Sequence, residues 1–300
     1  MVSEYANTLQ IILKIGTSIS IITSIIDIIL YWFFPQNRNF SFNNIIILAI
    51  INLIYSISTL LPSDLTLKQP ENTTVCQIQS FMINFSHCAQ YLQVLIISYC
   101  VFIKLITRNH LEQNHKMYRA IFFLFLIIFP LVFSIYIIIT KSYGSSVAFC
   151  WINIYTLYKK NHIKKVVLNY YISLWFLLII NIFFVVKIKV MMRHNKIKNE
   201  IYQHLLNYPI IMVVFSIPGT FNAIYRVVQN NKDVDFMLFL QVISESSFGF
   251  VLNIYFITSP WIKQSIVGAI KNQNTEEFES LMPIREVTRF SIFNNKDNNK

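Results

Sequence analysis

The chain has 300 residues, carries 25 Lys and Arg against 14 Asp and Glu, and is only 13% charged. Soluble domains are usually about 25% charged, and the mean hydropathy of this chain is +0.51. This composition excludes most classes of soluble enzyme and indicates a polypeptide surrounded largely by lipid.

Seven long apolar runs follow one another along the chain. A membrane-crossing helix needs about 20 predominantly apolar residues. Continuous apolar runs satisfy their backbone as helices, whereas the strands of a lipid-facing barrel alternate apolar and polar residues. We therefore predict an all-α integral membrane bundle of seven transmembrane helices, at residues 8–34, 42–61, 76–104, 118–140, 166–189, 205–228 and 235–258.

The segments outside these runs complete the predicted organisation. Residues 1–7 form a short N-terminus with no basic cluster, so the first span is expected to be retained rather than cleaved. Residues 8–259 form the seven-helix domain. Apolar residues recur at helical spacing in 260–271, which predicts a short amphipathic eighth helix at the membrane interface. The polar, Asn-rich residues 272–300 are expected to form a disordered tail.

Three observations predict that the N-terminus lies outside the cell. The loops on one side hold twelve Lys and Arg and those on the other hold eight, and the richer side is usually cytoplasmic. Asn72 begins a glycosylation sequon in the loop after the second span. Cys76 and Cys150 lie on that same side, where an oxidising compartment would permit a disulfide between them. We expect a multi-pass plasma-membrane protein with a cytoplasmic C-terminus.

The other two cysteines, Cys88 and Cys100, lie within the third span. They have no neighbouring His or Cys at metal-ligand spacing, so we interpret them as packing residues. We expect neither a bound metal nor a cofactor.

Ionisable residues inside the spans are costly to bury, so each is a candidate for a functional role or for pairing with another polar group. Asp27 is expected to accept hydrogen bonds from the second or seventh helix. Lys14, His87 and Glu245, with Arg226 at the outer end of the sixth helix, are predicted to surround a ligand cavity. An ion pair between Arg226 and Glu245 would lower the cost of burying both.

The predicted loop between helices four and five is basic, with four lysines in residues 159–165. Such a loop could attract an anionic ligand such as a nucleotide. The alternative is an ordinary solvated face, which we favour because no Gly-rich phosphate-binding loop accompanies the lysines.

Four local motifs stand in order along the chain: a Cys-Trp-Ile run at 150–152 in the predicted second outer loop, residues 206–210 and 221–228 in the sixth helix, and residues 247–256 in the seventh. Together they resemble the corresponding parts of the cyclic-AMP-receptor-like (class E) family of G-protein-coupled receptors. An insertion between Asn222 and Arg226 departs from the family pattern and leaves the equivalence of Arg226 open.

The resemblance implies a cell-surface receptor that passes the binding of an extracellular small ligand to a heterotrimeric G protein. It suggests a cyclic nucleotide as one such ligand and adds Trp151 to the ligand-binding set. The inner ends of the helices would face the G protein, through Arg108, Lys189, Arg193 and Lys196.

The sequence leaves three other functions to weigh. Secretin and adhesion receptors carry a similar Cys-Trp pair, so a receptor of that type is one alternative. A small transporter is another, although the first and last three spans show no repeat. An enzyme is not expected, because His-Glu-x-x-His and Gly-x-Ser-x-Gly are both absent from the sequence. No feature indicates nucleic-acid binding.

Overall fold

The computed structural model describes residues 2–34, 40–61, 74–107, 115–140, 142–145, 150–152, 161–194, 200–228, 235–260, 262, 263 and 267. Within these residues the chain is an all-α bundle of seven long helices, as predicted. In chain order they are α1 (Val2–Phe33), α2 (Phe40–Leu60), α3 (Thr74–Thr107), α4 (His115–Ile139), α5 (Asn161–His194), α6 (Glu200–Val228) and α7 (Asp235–Ile257).

All seven helices are long and apolar enough to cross a membrane. Their lipid-facing surfaces are formed by exposed apolar side chains, such as Ile11 and Ile22 on α1, Leu124 on α4 and Phe176 on α5. Many polar side chains are buried instead, because in a bilayer it is polar groups that need partners inside the protein. The chain is therefore a multi-pass membrane protein.

Helix α3 occupies the centre of the bundle. It packs against α2, α4, α5 and α6, while α1 packs against α2 and α7. Small residues allow the close approach of α1 and α7: a Cβ atom added at Gly16 would lie 2.7 Å from the Cβ atom of Ser246. Close contact through small residues is typical of helices packed within membranes.

A side chain of α1 also forms hydrogen bonds with the backbone of α7. The Ser20 hydroxyl donates a hydrogen bond to the Ser246 carbonyl oxygen (3.2 Å) and accepts one from the Phe250 amide (2.9 Å). That carbonyl and that amide are four residues apart, the spacing at which a helix bonds to itself. One turn further along, the Asn253 amide donates to the hydroxyl oxygens of Ser24 (2.7 Å) and Thr23 (3.2 Å).

Two short antiparallel strands, β1 (Tyr143–Ser145) and β2 (Cys150–Ile152), follow α4 and form a hairpin. Tyr143 pairs with Ile152 and Ser145 with Cys150. We call the end of the bundle that carries this hairpin the hairpin end. Helices α1, α3, α5 and α7 run away from it and α2, α4 and α6 run towards it.

Beyond Ile257 the chain forms a separate unit. Pro260, Ile262, Lys263 and Val267 are helical in this unit, and the Lys263 amide donates to the Ser259 carbonyl oxygen (3.1 Å). The rest of the predicted eighth helix and the whole of the predicted tail, 272–300, lie outside the described residues.

Candidate functional site

The hairpin is attached to α3 at the hairpin end of the bundle. A disulfide joins Cys76, in the first turn of α3, to Cys150 of β2, the pair that the sequence proposes. The Cys150 amide donates to the Gln79 side-chain oxygen (3.0 Å), and the Gln79 nitrogen donates to the Ser58 carbonyl oxygen of α2 (3.0 Å). The disulfide and the two hydrogen bonds fix β2 across the ends of α2 and α3.

Trp151 of β2 reaches an aromatic cluster around His87 of α3. Its ring centroid lies 5.6 Å from that of His87 and 6.1 Å from that of Tyr170 in α5. The Nδ1 atom of His87 is hydrogen-bonded to the Tyr170 hydroxyl at 2.8 Å. Tyr91 and Tyr55 lie on the remaining sides of the imidazole, with centroids 5.1 and 6.1 Å away. His87 therefore connects the hairpin with α2, α3 and α5.

A cavity opens beside this cluster, between α2, α3, α5, α6 and α7. Its volume is about 40 Å³, which is room for about three water molecules. Polar and aromatic side chains form most of its wall. The lining residues are Tyr55, His87, Gln90, Tyr91, Tyr171, Leu174, Trp175, Leu178, Phe215, Ser216, Gly219, Thr220, Ser244, Glu245 and Phe248.

Glu245 of α7 supplies a carboxylate to this wall. The Gln241 side-chain nitrogen, one turn earlier in α7, donates to Glu245 Oε1 at 2.7 Å. Gln241 in turn accepts a hydrogen bond from the Asn222 side chain of α6. Gly219 of α6 faces the same carboxylate, since a Cβ atom added there would lie 3.5 Å from Glu245 Oε1. This chain of amides holds the carboxylate between α6 and α7.

Hydroxyl groups of α3 and α6 form the facing wall. Ser216 donates its hydroxyl proton to the Met212 carbonyl oxygen (2.5 Å), so the contact of 2.6 Å between Tyr91 and Ser216 must be donated by Tyr91. Thr220 donates its own proton to the Ser216 carbonyl oxygen (2.9 Å). The three hydroxyls thus use their protons within the protein and keep lone pairs as acceptors.

Gln90 of α3 adds another acceptor. Its side-chain nitrogen donates to the Asn52 side-chain oxygen of α2 at 2.8 Å. Its side chain is only 1% exposed, and among the described residues its oxygen has no hydrogen-bond partner. A buried amide oxygen in that state costs free energy until a donor reaches it.

The structure brings together two of the five side chains predicted to bind ligand. His87 and Glu245 line the cavity, and Trp151 packs against His87 without lining it. Lys14 is not brought there, because it lies on an exposed face of α1 with Ile11 and Ile15.

Several other predictions fall wholly or partly outside the described residues. The Arg226 side chain is among these, and with it the predicted ion pair to Glu245. Arg108, Lys196, the Asn72 sequon and the side chains of the lysines in 159–165 are also outside. Lys189 and Arg193 are described, and both are exposed near the C-terminal end of α5, away from the hairpin end.

Sequence reasoning did not select Ser216, Thr220 or Gln241 for the site. Their signal in the sequence is weak, because a lone hydroxyl or amide in a span is common and most such groups bond to their own helix. Gln90 had a stronger signal, as one of several polar residues crowded into α3.

Asp27 differs from what the sequence predicts. Its side chain is 0% exposed, and neither carboxyl oxygen has a hydrogen-bond partner among the described residues. The expected hydrogen bonds from α2 or α7 are therefore not made. The amide that would reach towards α1 from α7, Asn253, is taken by Ser24 and Thr23, one turn nearer the hairpin end.

Cys88 and Cys100 are free thiols. Within the described part of the chain, no three His, Cys, Asp or Glu side chains group in a way that could hold a metal ion.

Comparison with known protein families finds no family model that matches this chain. Comparison with curated proteins finds no match either.

Proposed function

We propose that the protein is a cell-surface receptor of the G-protein-coupled type. A small extracellular ligand would bind in the cavity lined by His87 and Glu245 and would change the arrangement of α5, α6 and α7. The observation that carries the proposal is the cavity itself: polar and aromatic side chains line it, it lies towards the hairpin end, and five of the seven helices form its wall. Ligand sites between the helices of bundles take this form.

The disulfide-linked hairpin supports the same function. Trp151 reaches His87, so the hairpin that lies outside the helices contacts a residue of the cavity wall. A ligand that displaced either ring would therefore shift both the hairpin and the helices around the cavity. The general pattern of a cysteine at the start of the third helix joined to a loop after the fourth is that of the receptors which the sequence resembles.

Helix α6 is suited to carry a change from the cavity to the opposite end. It lines the cavity with Ser216 and Thr220 and contains Pro209 and Pro218. Each proline removes an intrahelical hydrogen bond, so each supplies a point where the helix can bend. Near its other end, His204 stacks on Tyr255 of α7 with ring centroids 3.8 Å apart.

We place the hairpin end outside the cell and the exposed Lys189 and Arg193 inside, where a G protein would dock. Basic residues near the cytoplasmic ends of spans are favoured there, and they also attract anionic lipid. The plasma membrane is the compartment in which a receptor with this orientation would meet its ligand.

The experiment is a panel of small ligands applied to cells that express the chain, with dissociation of heterotrimeric G-protein subunits as the measurement. A saturable response in expressing cells alone supports the proposal. If no ligand produces dissociation and the cells instead take up a solute vectorially, the chain is a transporter.

Glu245→Gln should then weaken the response to an active ligand at least tenfold in half-maximal concentration, because the amide keeps the size of the side chain and removes its charge. The amount of receptor at the surface should stay unchanged. Ile243→Val is the control, since Ile243 is 37% exposed in the same helix and does not line the cavity. Loss of Glu245→Gln from the surface would assign the carboxylate a folding role instead.

A further inference from the structure

A second cavity lies between α2 and α4, apart from the site described above. Both helices pack against α3, and contact between α2 and α4 themselves is slight in the described part of the chain. The space left between them has a volume of about 360 Å³, within the range of about 300–1,000 Å³ that is usual for small-molecule pockets. We call this cavity the α2–α4 crevice.

The floor of the α2–α4 crevice is buried and its rim is exposed. Gln93 and Ile96 of α3 form the floor together with Leu126 of α4, and all three side chains are buried. On the rim, Ala120 and Phe123 of α4 are exposed, and 56% of the Phe123 surface is accessible. Exposed apolar side chains within a membrane span contact lipid tails. The crevice therefore opens towards the bilayer.

The polar and apolar residues of the crevice lie at different depths. Asn43 and Ala120 stand at or next to the first residues of the α2 and α4 spans, so they lie near the membrane surface at the end opposite the hairpin. Ile47 and Leu126 are further along these two helices. Leu126 follows Ala120 by six residues, which places it about 9 Å deeper at the rise of an α-helix.

The dimensions of the crevice indicate a wide ligand. A volume of about 360 Å³ spread over about 9 Å of helix is wider than a single extended hydrocarbon chain and close to the width of a fused-ring body. A rigid ring system also loses little conformational entropy on binding, whereas an acyl chain held in the same place loses the freedom of many torsions.

The polar end of the crevice suits an uncharged group. No charged side chain is part of the lining that the structure describes, so a phosphate or carboxylate would enter without a counterion there, at a cost in free energy. Asn43 supplies an amide instead. Its oxygen accepts a hydrogen bond from the Tyr31 hydroxyl (3.0 Å), and its nitrogen carries two N–H donors, which can bond to the oxygen of a hydroxyl group.

The sequence at the start of α4 agrees with this ligand class. Lys116, Tyr118 and Leu124 stand in an order and at spacings proposed for sterol contact, a basic residue followed by a tyrosine and an aliphatic residue. That pattern occurs in many chains, so it is the crevice that carries the inference.

We infer that the α2–α4 crevice binds a sterol, with its hydroxyl near Asn43 and its fused rings along Ile47, Phe123 and Leu126. The sterol would come from the surrounding bilayer, to which the crevice opens. This is a second site, so the inference goes beyond the proposed function and does not depend on it.

The experiment uses the full-length protein in phosphatidylcholine vesicles, with a photoactivatable cholesterol as the probe. A phosphatidylcholine with the same reactive group on an acyl chain is the matched probe for phospholipid. We expect the cholesterol probe to label residues 43–47 and 120–126 saturably, and an excess of unlabelled cholesterol to prevent this. The phosphatidylcholine probe should label the exposed faces of all the helices without preference.

Two results would overturn the inference. One is cholesterol labelling that does not saturate, or that spreads evenly over the exposed faces, as expected of ordinary surrounding lipid. The other is labelling of the crevice by the phosphatidylcholine probe that cholesterol does not displace, which would assign the crevice to an acyl chain.

Two pairs of variants in α4 locate the binding, and all four positions are exposed. Ala120→Trp should fill the crevice and lower the saturable labelling at least fivefold, whereas Ile121→Trp, at a position that does not line the crevice, should label as the original chain does. Phe123→Ala should remove part of the rim and weaken cholesterol binding a few-fold, with Leu124→Ala as its control. Labelling that is the same within both pairs would overturn the inference.

Labelling in vesicles needs neither an extracellular ligand nor a G protein, so it separates this inference from the proposed function. Saturable labelling of the crevice in a chain that no ligand activates would leave the sterol site standing and remove the receptor. G-protein dissociation by a ligand, without saturable cholesterol labelling, would keep the receptor and remove the sterol site.

Discussion

At the scale of single residues, the bundle depends on positions where a few atoms decide how closely two helices approach. Gly16 is the clearest of these, because the space beside it is filled by Ser246 of α7. Gly219 has no such constraint: a Cβ atom added there would meet its nearest neighbour at 3.5 Å, an ordinary contact distance. Substitution of Gly219 therefore serves as the control for substitution of Gly16.

Gly16→Ala should lower the free energy of unfolding by about 1–3 kcal/mol, the usual cost of overpacking a close contact. The added methyl group would lie 2.7 Å from Ser246 and force α1 and α7 apart. Thermal unfolding of the detergent-purified protein measures the effect. Gly219→Ala should unfold close to the temperature of the original chain, and equal losses in both variants would contradict the assigned contact.

The residues of the site show how far sequence reasoning reaches at this scale. His87 and Glu245 could be selected because an ionisable side chain within a span is rare and costly. Lys14 satisfied the same criterion, yet it lies on an exposed face of α1. Which face a residue occupies depends on the rotation of its helix against its neighbours, and a single costly residue does not determine that rotation.

At the scale of elements, the helices were predictable and the hairpin was not. Continuous apolar runs about 20 residues long leave the backbone few choices in a bilayer, so each predicted span lies within or close to a helix of the structure. The strands β1 and β2 are three residues each, too short to give a periodic signal. They are positioned by the disulfide and by Gln79, contacts between parts of the chain that are distant in sequence.

Cys150→Ser should lower the free energy of unfolding by about 2–4 kcal/mol, because the disulfide closes a long loop and restricts the unfolded chain. The two cysteines are 74 residues apart. Thermal unfolding with and without a reducing agent measures the effect: the agent should destabilise the original chain and leave Cys150→Ser unchanged. Cys88→Ala is the control, because Cys88 is a free thiol.

The double variant with both Cys76 and Cys150 replaced by Ser should unfold at the same temperature as Cys150→Ser, since either change removes the disulfide. A double variant clearly less stable than the single one would mean that Cys76 stabilises α3 apart from the disulfide.

At the scale of the whole molecule, glycosylation tests which end of the bundle faces the exterior. Two sequons distinguish the orientations, because Asn72 follows α2 in the chain and Asn39 precedes it. One span, α2, separates the two asparagines in the sequence, so a single crossing by α2 predicts that they face opposite sides of the membrane. Only a sequon on the lumenal side meets the glycosylation machinery.

With the N-terminus outside, Asn72→Gln should abolish the mobility shift that a glycosidase produces on gels, and Asn39→Gln should leave that shift intact. The shift is expected because the N-terminal orientation places Asn72 in an oxidising, glycosylating compartment. A shift that depends on Asn39 and not on Asn72 would invert the orientation and the assignment of the exposed Lys189 and Arg193 to the inside.

The Ser20 hydroxyl has a mechanical consequence for the molecule. It is bonded to both the carbonyl of Ser246 and the amide of Phe250, so one turn of the seventh helix is tied to a side chain of the first. Glu245 immediately precedes this turn. A tilt of the seventh helix at this turn would have to move the first helix with it or break these two hydrogen bonds, so displacement of the carboxylate is coupled to the first helix.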